Sequence, residues 1–167
     1  MHRTICRLPV FGTRWMQTFS HSKGMVDVLE KKISKRIAVA SCTMQLPEEV
    51  CRAIFDPSFS INDKGDILGT AKLAGVMAAK KTSDLIPLCH QIALSQVIVE
   101  IDQKDSTSLS IRGTAKCLGP TGVEMEALTA VSIAALTVYD MTKSAIKNNP
   151  NSSIVISNIH LEYKSTS

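Results

Sequence analysis

A chain of 167 residues, 44% of them hydrophobic, is long enough to bury one sizeable core and short enough that a single domain is expected. Its net charge of +4 sits at one end: Arg3, Arg7, Arg14 and Lys23 carry it, residues 1–24 hold no acid, and the remainder is neutral. A neutral body with 4% aromatic residues argues against a nucleic-acid surface, and no apolar run approaches the ~20 residues of a membrane span.

The first 24 residues are Arg-bearing and hydroxyl-rich, the composition of an organellar transit peptide. A mitochondrial matrix protein is the expectation, with a cytoplasmic protein carrying a basic tail as the alternative, because Pro9 and Gly12 interrupt the amphipathic helix such a signal needs. The domain occupies residues 25–167. Its first element, Ile37–Leu46, alternates apolar and polar residues and reads as a strand. Residues 47–55 form a short helix with acids in its first turn, closed by Asp56-Pro57. A second helix runs from an N-cap at Asp66 to Lys81, and its stripe of Ala71, Ala74, Gly75 and Ala78 permits close approach to a neighbouring helix.

Leu94–Ile101 and Ser108–Leu118 are strands joined by the polar turn Asp102–Thr107. A long helix from Glu124 to Lys147 follows, apolar nearly all round in its middle, which implies deep burial. After Asn148-Asn-Pro-Asn-Ser comes a last alternating strand, Ser153–Tyr163. Strand, helices, strand, strand, helix, strand is the order of an α+β ferredoxin-like fold, an antiparallel sheet with helices packed on one face.

The side chains that could carry chemistry sit at the edges of these elements. Lys64 precedes a helix N-terminus, a corner suited to an anion, though a solvated turn lysine is the more ordinary reading of the residues alone. Lys80 and Lys81 lie at the C-terminus of that helix, where cations complement the dipole. His90 emerges from the apolar run Leu85-Ile-Pro-Leu-Cys and can exchange protons near neutral pH, or serve as a hydrogen-bonded core histidine. Its neighbour Cys89 should point the opposite way if the segment is extended. Glu124 and Glu126 either cap the long helix or do chemistry beside Met125. Asp140 and Lys143 are three apart on one helical face, and after a dozen mostly apolar residues they are expected to be partly desolvated; an exposed ion pair is the alternative. Sixteen residues, about 24 Å of helix, separate Glu124 from Asp140, so the two charged ends cannot share one site within a subunit. Five scattered cysteines with no C-x-x-C pair suggest buried free thiols rather than a disulfide framework or a zinc site.

Two long motifs, residues 64–90 beginning Lys64-Gly-Asp-Ile-Leu-Gly-Thr-Ala and residues 121–143 beginning Thr121-Gly-Val-Glu-Met-Glu-Ala-Leu, resemble the MoaC family of cyclic pyranopterin monophosphate synthases, which act in molybdenum cofactor biosynthesis. The similarity spans roughly Met25 to Lys164. It implies a lyase that rearranges 3′,8-cyclo-7,8-dihydroguanosine 5′-triphosphate to a pyranopterin, closes a cyclic phosphate and expels pyrophosphate. By this resemblance Lys143 is the principal acid/base, Asp140 tunes it, and Lys64 is a second catalytic lysine. Leu88, Cys89, His90, Glu124, Met125 and Glu126 would hold the base, while Arg36, Lys80 and Lys81 would hold the phosphates. The family's hexamer, a trimer of dimers, fits a site shared between subunits. No resident cofactor or metal is implied, apart from Mg2+ that could accompany the triphosphate. Gln91, Pro120 and the end of the sequence after Lys164 depart from the family pattern, and weaker phosphate binding is expected from them. The rival is a non-catalytic ferredoxin-like module that binds a ligand or a partner.

Overall fold

The computed structural model describes residues 24–56, 65–147 and 153–167. In chain order they form β1 (Ser34–Gln45), α1 (Glu48–Phe55), α2 (Ile67–Lys80), the single turn α3 (Thr82–Leu85), β2 (Leu94–Asp105), β3 (Ser108–Gly119), α4 (Glu124–Thr142) with a 3-10 turn at Lys143–Ile146, and β4 (Val155–Thr166). The sheet order is β2-β3-β1-β4, and every pairing is antiparallel. This is the ferredoxin-like arrangement expected from the element order.

Alternation along the strands sets the core. Ala38, Ala40, Cys42 and Met44 of β1 face the helices beside Leu109, Ile111 and Ala115 of β3, and all are buried. Each large side chain of this set contributes about 1.5–3 kcal/mol by leaving water. Helices α2 and α4 cover that face, and two glycines let them approach. A Cβ on Gly75 of α2 would stand 2.8 Å from the Ala130 carbonyl of α4, and one on Gly113 of β3 would stand 2.9 Å from Val131 Cγ1. The small-residue stripe expected on α2 is thus the seam with α4, with Ala71, Gly75 and Ala78 buried.

Several boundaries differ from the sequence expectation. The β2–β3 turn is only Ser106-Thr107, because Asp102, Gln103 and Asp105 pair across the ladder with Ser110, Leu109 and Ser108. Ladder pairing outweighs the polarity that suggested a longer loop. β4 runs on to Thr166, held along β1 despite register shifts near Ser41 and Val39, with Asn158 at φ 53 in the left-handed region that asparagine tolerates. α4 stops at Thr142, and its burial is one-sided: Val131, Ala134, Ala135 and Val138 are fully covered, whereas Leu136 is 54% exposed. Polar residues inside this apolar helix are satisfied by their own backbone, since the Ser132, Thr137 and Thr142 hydroxyls each donate at 2.8 Å to the carbonyl four residues earlier. Among the described residues no helix is long and apolar enough to cross a membrane.

Candidate active site

The first turn of α4 meets two other segments at the end of the sheet where β1 begins. Val123 precedes the helix without a side-chain cap, so the acids that follow are not engaged as N-caps. Glu124 instead pairs with Lys164 of β4 at 3.2 Å, and its carboxylate lies so close over Gly122 that any Cβ there would overlap it. Glu126 turns inward and is 3% exposed. Burial pushes its carboxyl above the ordinary 4.5, the Glu124 charge adds to the rise, and a hydrogen bond from its own backbone N–H opposes it.

Around this turn lies a cavity of about 430 Å³ whose wall includes Glu124, Met125, Glu126, Leu88, Cys89 and His90. The chain after α3 is folded, not extended: the Cys89 N–H donates to the Ile86 carbonyl at 3.1 Å, so Cys89 and His90 line the same cavity instead of pointing apart. Burial and the nearby Glu126 raise the Cys89 thiol, which therefore stays an S–H group and not a thiolate nucleophile. Burial and Glu126 raise the Cys117 thiol as well, with Arg36 opposing. The four cysteines of the described residues are free, as expected, and three of them are buried.

A second cavity of about 240 Å³ shares Gly122 and Glu124 with the first and is also lined by Arg36, Lys164 and Thr166. Arg36 occupies an inward register of β1 opposite Cys117. Its guanidinium donates to Thr166 Oγ1 at 2.7 Å and to the Pro120 carbonyl at 3.3 Å. The structure therefore gathers Leu88, Cys89, His90, Glu124, Met125, Glu126 and Arg36 at one end of the molecule.

Four other expected residues are placed elsewhere, and a fifth is outside the described residues. Asp140 and Lys143 pair at 2.6 Å at the far end of α4, with side chains 53% and 55% exposed. The desolvation expected for this pair is absent within the chain, because α4 ends there and the 3-10 turn carries Lys143 outward. The hydrogen bond to Asp140 and its charge raise the Lys143 ammonium above the ordinary 10.5. Lys80 and Lys81, exposed at the C-terminus of α2, line none of these cavities. Lys64 lies outside the described residues, as does the basic leader.

Lys164, Thr121, Gly122, Val26, Val28 and Lys31 line the site without having been singled out as ligands. The inward direction of Lys164 was hidden by the bulge at Glu162: Leu161 faces Ala40 and Lys164 faces Ala38, a spacing that strict alternation does not give. Among the described residues no cluster of His, Cys, Asp and Glu is arranged to hold a metal ion.

Fold and site together define a ferredoxin-like α+β protein with an acid- and imidazole-lined cleft at the start of its long helix. The chain belongs to the MoaC family, whose model matches residues 25–167. It is 50% identical over 123 residues to a cyclic pyranopterin monophosphate synthase of Brevibacillus brevis, covering 74% of this chain and 75% of that one. It is 46% identical over 155 residues to the protein of the same name from Desulfatibacillum aliphaticivorans, covering 89% and 92%. A mitochondrial cyclic pyranopterin monophosphate synthase of Arabidopsis thaliana is 49% identical over 141 residues, covering 84% of this chain and 49% of that one.

Proposed function

We infer that this chain is a cyclic pyranopterin monophosphate synthase, a lyase that takes 3′,8-cyclo-7,8-dihydroguanosine 5′-triphosphate to cyclic pyranopterin monophosphate and pyrophosphate. The observation that carries the reading is the convergence of His90, Cys89, Glu124 and Glu126 on one cavity in a member of this family. A non-catalytic module of the same fold leaves that convergence without a purpose.

In the phosphate step a hydroxyl oxygen of the rearranged substrate bonds to the α-phosphorus. The P–O bond to the β-phosphate breaks with its electron pair leaving on pyrophosphate, and the hydroxyl proton passes to a basic side chain. Glu126, buried and with its carboxyl raised, would face the base, while His90 and the Cys89 S–H complete the polar contacts. Met125 and Leu88 supply apolar contact to the ring. Arg36 serves the phosphates. Lys143, held protonated by Asp140, would deliver a proton to the substrate, and Lys64 would be the second catalytic lysine. Mg2+ would enter bound to the triphosphate, as part of the substrate.

Glu126 and Lys143 are seventeen residues apart, about 25 Å along α4 at 1.5 Å per residue. A site using both needs two chains, which a hexamer built as a trimer of dimers provides. The exposed apolar residues Leu73 and Met77 of α2 and Leu136 of α4 support self-association. The basic, acid-free composition of the leader supports import into the mitochondrial matrix. A fluorescent fusion of residues 1–24 should reach that organelle; one that stays cytosolic defeats the localisation. The reaction is tested by supplying the cyclised GTP derivative to the purified chain and following pyrophosphate together with the pterin product. Absence of both overturns the assignment.

A further inference from the structure

Gly122, two residues before α4, is a glycine for a reason that its backbone does not supply. Among the glycines of the described residues only Gly24 and Gly65 have φ in the left-handed region, so the Gly122 backbone is one that an alanine also adopts. What the position lacks is room for a side chain. A Cβ there would overlap Glu124 Oε2 outright and stand 2.7 Å from Glu124 Cδ and 2.9 Å from Oε1, so the three nearest atoms all belong to one carboxylate. The tight glycines of the core differ: a Cβ on Gly75 meets the Ala130 carbonyl, and one on Gly113 meets the Ala127 carbonyl at 3.1 Å, atoms that packing holds fixed. The neighbour of Gly122 is the tip of a half-buried side chain, which can swing away.

Where that tip now rests is decided by its surroundings. Gly122 and Glu124 are the residues common to the 430 Å³ cavity of Glu126 and His90 and the 240 Å³ cavity of Arg36 and Lys164. The carboxylate seated over the glycine therefore stands at the neck between the two, held from the other side by Lys164 Nζ at 3.2 Å. We propose that Gly122 is a positioning residue for the reaction: its missing side chain lets one carboxylate border both cavities while staying paired with Lys164. This rests on the reading that the base occupies the Glu126 cavity, with Glu124 among the groups that hold it. A methyl group at position 122 pushes the carboxylate into one cavity or the other and breaks the pair. The Lys164 side chain is 66% exposed, so that pair adds little to stability. The loss falls on substrate placement and leaves the core untouched.

The test uses the full chain in its native assembly. Gly122→Ala should keep the wild-type unfolding midpoint and raise KM by about tenfold or more, with a smaller fall in kcat. Its crystal structure should show the Glu124 carboxylate moved off the 3.2 Å contact with Lys164. Gly119→Ala, at the end of β3, is the control, because the nearest atom to a Cβ there is Cys117 Sγ at 3.6 Å, an ordinary contact; both kinetic constants should be unchanged. In a chain already carrying Glu124→Ala, Gly122→Ala should have no further effect, since the atoms it displaces are gone. That double variant also covers a single variant that fails to fold: folding restored by Glu124→Ala locates the clash at this carboxylate. An additive loss in the Glu124→Ala background, a double variant that does not fold, or a Gly122→Ala chain with wild-type KM and the carboxylate still on Lys164 overturns the proposal. A wild-type chain that makes no pterin product overturns the synthase reading instead, and the crystal structure of Gly122→Ala still decides whether the glycine places the carboxylate.

Discussion

Glu126 is the only buried acidic or basic side chain among the described residues, and its environment makes a pH-dependent statement about stability. Its carboxyl is raised above 4.5 in the folded chain, so the folded state holds the proton more tightly than the unfolded state does. The stabilisation is fully present below the ordinary value and is lost as pH rises through the raised one. Glu126→Gln keeps the size and has no charge to bury. Denaturant unfolding should therefore find the variant gaining on wild type between pH 4 and pH 8; a constant difference would mean that Glu126 is not protonated on folding. Lys143 makes the opposite demand, because its exposed pairing with Asp140 favours the ammonium. If it donates a proton in turnover, Lys143→Ala should lower kcat by about 10²–10⁴-fold. Lys143→Arg, cationic but a far poorer acid, should restore little. Restoration by arginine would reduce the role to charge alone.

The elements show which parts of the fold the sequence made legible. The Asp66 cap was readable because its side chain has one job, accepting from the Gly69 N–H at 2.9 Å, and local chemistry is visible locally. The seam of α2 was readable because only a small residue satisfies a contact that close. Gly75→Ala tests this directly: its Cβ would meet the Ala130 carbonyl at 2.8 Å, and backbone cannot yield as a side-chain tip can. A loss of about 1–3 kcal/mol in unfolding free energy is expected, from strain against a modest gain in helix propensity. No loss would mean that the two helices can move apart freely. Strand ends were less legible, since Asp102 is ordered by Ser110 across the hairpin ladder and Lys164 by Ala38, far along the chain. Cys89 was assigned the wrong direction because a single turn bond to Ile86 replaced the extended backbone assumed for it. Lys31 was missed for a related reason: its place at the cavity depends on tertiary packing, with no motif around it.

At the scale of the molecule, the residues assigned to chemistry divide between two ends of α4, and a single chain does not bring them together. His90 and Glu126 lie at one end, and Asp140 and Lys143 are exposed at the other. A site between two symmetric copies would resolve the separation, because each interface would repeat every contact and so supply both halves twice. The prediction is intersubunit complementation. His90→Ala and Lys143→Ala should each be inactive alone. After dissociation and reassembly of an equal mixture, a site that takes His90 from one chain and Lys143 from another is intact when the first chain is the Lys143→Ala variant and the second the His90→Ala variant. Random mixing then restores about one quarter of wild-type activity. Native mass spectrometry of the mixture establishes that chains have exchanged. Exchange without recovered activity would place both residues in the site of one chain, requiring α4 to bend or its 3-10 end to refold over the cleft, and the shared-site model would fail.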